Sequence, residues 1–178
     1  MSKVVLFTAT SLDGFIAKPD GNLDWLNSFP NPENGDYGYE ELLANIQTII
    51  MGRKTYDEVM GFGIEWPYVG YTTYVVTNNV NFKTNSPDTF IFTGNIKDLV
   101  VEISTKSDKD IWLVGGGQLT TSFINSGLID RMALSIIPKL IGEGIPLFAP
   151  KPAETEWKLV KIQQFDTGLV NLIYDKMD

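Results

Sequence analysis

Two residue types that carry much of enzyme chemistry are missing from this chain, which has no cysteine and no histidine. Disulfides, thiol nucleophiles, zinc sites of the Cys/His type and every acid–base scheme that runs through an imidazole are excluded together. No metal site is expected. The lack of cysteine is compatible with a reducing compartment. Long apolar runs are absent too. The run near the start breaks at Thr8 and Asp13, too soon for a signal segment, and no other reaches membrane-spanning length. A cytoplasmic protein with no membrane partner is expected. Basic residues are few and scattered, 14 against 22 acidic ones for a formal charge of −8. Nucleic-acid binding calls for a concentrated basic face, so that partner class is disfavoured.

What is present reads as one globular domain spanning residues 1–178, because this length supports one full core and not two. Strand and helix patterns alternate. "KVVLFTAT" reads as strand, and "YGYEELLANI" places Tyr39, Leu42, Leu43 and Ile46 on one helical face. "QTIIMG" is a strand, "TYDEVM" a short helix, and "YTTYVVTN" and "TFIFTG" are strands. Asn95 caps a helix over "NIKDLVVEIST"; "DIWLVGGG" is strand into turn; "QLTTSFINSG" is a helix that stops at Gly127. In the last third, "RMALSIIP", "EWKLVKIQQF" and "GLVNLIYDK" are strands without helices between them. The last two are joined at Asp166-Thr167-Gly168 by a loop suited to a hairpin. Eight strands and about four helices in this order predict an α/β fold. Its mostly parallel central sheet carries an antiparallel C-terminal edge hairpin. The stretch "SFPNPENGDYG" (28–38) reads as surface connection.

"MGRKT" sits close to the end of a triphosphate-binding loop, but Gln47 stands where the first glycine belongs and Arg53 where the lysine belongs. What remains is a strand-to-helix turn. Thr55 and Glu58 read as a capping box, with Arg53 and Lys54 beside the helix's positive end. A capped turn with two solvated cations explains the same residues. "IWLVGGGQL" is a second such turn, and Thr120 in place of the third glycine excludes the common dinucleotide fingerprint. Close helix–sheet packing explains the triplet equally well. Both turns fall at carboxyl ends of strands, the ligand-binding edge of an open α/β sheet. "DGNLDW" starts like a calcium loop, but Trp25 and Asn31 occupy positions that need glycine and glutamate. Trp25, Trp66 and Tyr68 could wall a flat-ring pocket, although core packing is the commoner use of such residues.

"TIIMGRKTYDEV" followed by "IWLVGGGQL" resembles the dihydrofolate reductase superfamily. A closer resemblance, through "SLDGFIA" (11–17) and "LIDRMALSIIPKLIGEGIPLF" (128–148), is to the reductase domain of riboflavin-biosynthesis deaminase/reductases and its stand-alone relatives. It implies a dihydrofolate reductase-like fold and a reductase that uses NADPH, with NADH not excluded. Gly52, Arg53, Lys54 and Thr55 would meet the cofactor's phosphates, Arg53 near the 2′-phosphate. Thr77 and Asn78 would flank the adenosine. Gly115, Gly116, Gly117, Gln118 and Leu119 would lie under the pyrophosphate and nicotinamide riboside, and Ala9, Ile16 and Ala17 would bracket the nicotinamide. On the substrate side, Asp36 matches the family's active-site acid and Ser135 the hydroxyl residue that partners it. The substrate would be a small pterin- or ribosylaminopyrimidine-like molecule. Gln118 stands where many folate reductases carry an arginine, and Arg131 replaces an acid of the riboflavin branch, a departure that bears on the substrate. The zinc deaminase half is absent, so the resemblance supports only a reductase. Its competitor is a non-catalytic nucleotide-binding module of the same fold that senses or sequesters a ligand. Relatives of the riboflavin branch are commonly dimers, and the apolar C-terminal strands could supply a homodimer interface.

Overall fold

The computed structural model describes residues 2–31 and 35–177. The chain begins with β1 (Val4–Ser11), β2 (Phe15–Ala17), α1 (Asp24–Asn27) and α2 (Tyr39–Asn45). Strands and helices then alternate through β3 (Ile46–Gly52), α3 (Arg53–Gly61), β4 (Thr72–Val76), β5 (Thr89–Phe92), α4 (Ile96–Lys106), β6 (Asp110–Gly115) and α5 (Gly117–Asn125). β7 (Arg131–Ile137), β8 (Ile145–Pro146), β9 (Trp157–Gln164) and β10 (Val170–Lys176) complete it. All eight strands expected from the sequence join one sheet in the order β5-β4-β3-β6-β1-β7-β10-β9. The first six run parallel, and β10 and β9 close the sheet as an antiparallel hairpin. That hairpin turns through Asp166–Gly168, where Gly168 takes a positive φ of 86°.

The central strands read as nearly unbroken apolar runs because both of their faces are covered. Val4, Leu6, Ile50, Ile111 and Leu113 pack with Leu99 and Ile103 of α4 and Phe123 and Ile124 of α5. On the opposite face Ile49, Met51 and Trp112 pack with Tyr56 and Val59 of α3, and Leu42 and Leu43 of α2 join them. Trp66 and Tyr68 belong to this second core, and Trp25 packs on Ile137 and Leu169, so all three serve as packing.

Helix ends follow local chemistry in part. Asn95 Oδ1 accepts the Lys97 N–H at 2.9 Å, as a cap should. Gly127 and Leu128 donate to the carbonyls of Ile124 and Phe123, the pair of hydrogen bonds with which a left-handed glycine ends α5. Thr55 is not a cap. α3 starts two residues earlier, straight from Gly52, and the Thr55 hydroxyl instead donates to the Gly115 carbonyl at 3.4 Å. Ile46 is not helical either, because α2 runs directly into β3. Of the connection at 28–38, residues 32–34 lie outside the described ones.

Three elements are additional to the sequence expectation. α1 follows two side-chain turns, in which Asp20 and Asn22 accept the N–H groups of Asn22 and Asp24. The "DGNLDW" stretch thus uses its polar atoms to start a one-turn helix anchored by buried Trp25. β2 and β8 form a separate two-stranded sheet. β8 is wedged between backbones: a Cβ on Gly144 would lie 2.2 Å from the Ala17 carbonyl, and one on Gly117 would lie 2.3 Å from the Pro146 carbonyl.

Three outcomes follow for stability. Gly144→Ala forces overlap with main chain and is expected to cost roughly 1–3 kcal/mol, read as a lower thermal midpoint. Gly61→Ala, with open space around it at the end of α3, should leave the midpoint equal or higher. Arg131 meets Asp175 in a two-pronged pair at 2.6 and 2.9 Å, which holds the Asp175 carboxyl below its ordinary 3.8. A depressed carboxylate contributes stability above 3.8 and loses it as pH falls through its folded value. Wild type and Asp175→Asn should therefore differ in urea midpoint at neutral pH and converge in steps below pH 3.8.

Candidate active site

The candidate site grows out of the direction of two crossovers. From β3 the chain passes through α3 to β4 on one side. From β6, the neighbour of β3, it passes through α5 to β7 on the other side. Right-handed crossovers then put α3 and α5 on opposite faces, as the two cores record. Their amino ends diverge from adjacent strand ends and leave a crevice, the place where open α/β sheets take ligands.

Backbone lines this crevice. Met51 pairs with Gly115, which brings the two glycine turns side by side. Gly115 and Gly116 hold φ of 118° and 76°, conformations that side chains rarely adopt. A Cβ on Gly116 would press on the Thr55 hydroxyl at 3.2 Å. No side chain caps α3 or α5, so their first-turn N–H groups are free for an acceptor. Buried Thr120 Oγ1, under the Gly115 step, has no protein partner. A bare backbone cradle with two uncapped helix starts fits the phosphates of a dinucleotide. Gly117 differs: its missing side chain makes room for Pro146, the packing use of a glycine.

The remaining predicted cofactor residues spread along the same edge. Arg53 and Lys54 are exposed on the first turn of α3. The Arg53 guanidinium lies 3.4 Å from Asp57 and 5.8 Å from the centre of the Phe82 ring. Thr77 and Asn78 follow β4; Thr77 donates its N–H to Phe92 and caps the N–H of Asn79. Gln118 is exposed, and Leu119 is half-buried against the first core. Ile16 and Ala17 lie in β2, Ile16 against the first core and Ala17 buried. Asp13, at the tip before β2, accepts from Ser11 Oγ, Gly142 N–H and Ile141 N–H, and these bonds hold its carboxyl below the ordinary range.

Ala9, Asp36 and Ser135 come together in a cavity of about 420 Å³ on the α2 face, walled by Phe7, Phe29, Tyr37 and Tyr39. Ala9 and Ser135 are register partners on β1 and β7. The expected Asp36–Ser135 contact does not form. Ser135 Oγ donates to Asn171 Oδ1 at 2.7 Å, and Asn171 Nδ2 donates to the Tyr37 carbonyl at 2.7 Å. Asp36 is oriented instead by the start of α2, where its two oxygens accept the N–H groups of Gly38 and Glu40. Sequence reasoning missed Asn171, whose signal was a lone amide inside the apolar run "LVNLIY", and Tyr39. Burial raises the Tyr39 pKa, which keeps its phenol a neutral donor beside Asp36.

Arg131 is corrected in position. It opens β7 at the end opposite Ser135 and is engaged with Asp175, so its departure from the acid of the riboflavin branch does not touch the cavity. A larger cavity of about 490 Å³ on the other face, between Met132, Phe148, Trp157 and Tyr174, contains none of the predicted residues. Among the described residues no helix is long and apolar enough to cross a membrane, and no three acidic side chains cluster as a metal site.

Comparison with known proteins agrees with this architecture. The uncharacterized Bacillus subtilis (strain 168) protein YwjB is 36% identical over 163 residues, covering 92% of each chain. The crystal structure of a protein from Shewanella sp. PV-4, provisionally named a riboflavin biosynthesis protein, superposes with a TM-score of 0.89 at 31% identity over 99% of both chains. Dihydrofolate reductase from Enterococcus faecalis, complexed with NADP(H), shares the fold at a TM-score of 0.70 and 20% identity, covering 99% of this chain and 97% of that one. The family described as the RibD C-terminal domain matches residues 2–171. With its eight-stranded dihydrofolate reductase-like sheet, the chain belongs to the RibD C-terminal domain family.

Proposed function

We propose that this protein is a reductase that uses NADPH to reduce a small pterin- or ribosylaminopyrimidine-like acceptor, heterocyclic or imine in type. One observation carries the reading. Apart from Ile16 and Ala17 of β2, the residues expected at the cofactor lie at the carboxyl ends of four consecutive strands, β4, β3, β6 and β1, in the order adenosine, phosphates, riboside, nicotinamide. Three inter-strand steps of about 4.8 Å give that row a span of roughly 14 Å. At its last member, Ala9, the cavity with Asp36 begins. The Enterococcus relative named as an NADP(H) complex supports the choice of cofactor.

When bound, the cofactor supplies the hydride. The chain supplies position and a proton site. Gly115 and Gly116 admit close backbone approach, and the first turns of α3 and α5 offer N–H groups to phosphate oxygens. Preference for the extra phosphate of NADPH rests on Arg53 and Lys54, since Gln118 brings no charge. Arg53 is held by an exposed pair with Asp57 and by the face of Phe82, both weak, so little is lost in turning it to a phosphate. Aromatic walls exclude water from the acceptor, and the Asp36 carboxylate stands where it can carry a proton to a ring or imine nitrogen. The reading includes a cytoplasmic homodimer seated on edge strand β9, where Leu159 and Ile162 are exposed.

Arg53→Ala and Thr55→Ala should each weaken NADPH binding about tenfold, the loss of one charge-assisted or well-placed hydrogen bond. Calorimetric affinities equal to wild type in both variants would sink the phosphate cradle. Asp36→Asn should lower turnover by roughly 10²–10⁴-fold with NADPH affinity unchanged. The check is loss of nicotinamide absorbance with pterins, ribosylaminopyrimidines and imines as acceptors. Full turnover in that variant would remove Asp36 from the chemistry. Tight NADPH binding with no acceptor reduced by wild type would favour a ligand-sensing module.

A further inference from the structure

Arg53 has two neighbours, and a phosphate competes with only one of them. Asp57, one turn further along α3, accepts from the edge of the guanidinium at 3.4 Å, in a pair nearly half exposed on both sides. The Phe82 ring lies instead against the guanidinium face, 5.8 Å from the central carbon. Phe82 is the one aromatic residue in the connection from β4 to β5, residues 77–88. Its place is set without Arg53. Side chains make the bends: Thr77 Oγ1 accepts the Asn79 N–H, Asn79 Oδ1 accepts the Asn81 N–H, and the Phe82 N–H donates to the Asn79 carbonyl. Further on, the Asn85 N–H and the Ser86 hydroxyl donate to the Tyr56 hydroxyl at 2.9 and 3.1 Å. Tyr56 is buried on α3 and meets the Phe82 ring edge-on at 5.8 Å. The ring is therefore a fixed platform beside the first turn of α3.

A guanidinium carries its five N–H donors in its own plane, and stacking occupies only the face. Phe82 leaves those donors free for phosphate oxygens while it narrows the orientations of a long side chain. Asp57 does the opposite, because its carboxylate takes a donor edge and offsets the charge that a phosphate would meet. Charges at this end of the site are few. Lys54 is exposed beside Arg53, whereas Thr77, Asn78 and Gln118 carry none. One carboxylate beside two cations weighs on the recognition of a ribose phosphate and hardly at all on a nucleotide that lacks it.

We propose, resting on the NADPH reading, that Phe82 and Asp57 set the preference for phosphorylated over unphosphorylated cofactor, both acting through Arg53. Phe82 is a positioning residue that raises the preference, and Asp57 is a competing acceptor that lowers it. The test is calorimetric binding of NADP⁺ and of NAD⁺ to the full chain and its variants, with thermal midpoints checked. Asp57→Asn should raise the ratio of NADP⁺ to NAD⁺ affinity about threefold. Phe82→Leu, which keeps apolar bulk, should lower that ratio about two- to fivefold. Phe82→Tyr keeps the ring and should hold the ratio at its wild-type value. In an Arg53→Ala background, Phe82→Leu should no longer change the ratio. A loss of packing alone weakens both nucleotides together and leaves the ratio where it was. An unchanged or lower ratio in Asp57→Asn overturns the proposal. So does an unchanged ratio in Phe82→Leu, or a Phe82 effect that survives without Arg53. A wild-type chain that binds neither nucleotide ends the NADPH reading and this proposal together, whereas binding with unmoved ratios ends the proposal alone.

Discussion

The handedness of strand–helix–strand crossovers is the constraint on which the rest of this structure depends. β3 and β6 are neighbours, and their connections leave in opposite directions. With right-handed crossovers, α3 and α5 must cover opposite faces and their amino ends must part. The crevice between them is a consequence of topology, already present before any side chain is chosen. The sequence then leaves side chains out of it. Glycine stands at 52, 115 and 116, and the one hydroxyl that crosses the gap, Thr55 to Gly115, ties the two turns together.

Much of this was legible from residues alone, for a reason that also explains what was not. Buried parallel strands are apolar on both faces and read as short unbroken runs, so all eight sheet strands could be found. The elements that escaped are short and held by tertiary contacts. β8 exists because its backbone is gripped between Ala17 and Gly117, which no local pattern announces. α1 escaped because its polar residues make turns whose product is one helical turn around Trp25. Thr55 shows the limit of motif reading: its spacing to Glu58 is that of a capping box, but the strand hands over to the helix at Gly52, and the hydroxyl is used across the crevice.

The site divides along the same line. The glycine turns were visible because their chemistry is backbone chemistry written in consecutive residues. The cavity was only half visible, because its polar order is made across strands. Ser135 and Asn171 are 36 residues apart and meet through sheet register. Asp36 was placed by resemblance, while its orientation comes from the helix it precedes. Arg131 attracted attention as a departure from the riboflavin branch, yet strand direction carries it to the far end of β7, where it stabilises the hairpin through Asp175.

The one carboxylate among the described residues of the cavity, Asp36, has a further consequence in a chain without histidine or cysteine. Between the ordinary ranges of carboxylates and of phenols and amines, only the terminal amine normally titrates. The charge of the protein is therefore nearly constant across neutrality, and its surface field does not drift as pH is varied there. A kinetic profile recorded in that interval starts from a silent background. Any inflection in it belongs to the ligand or to the terminal amine.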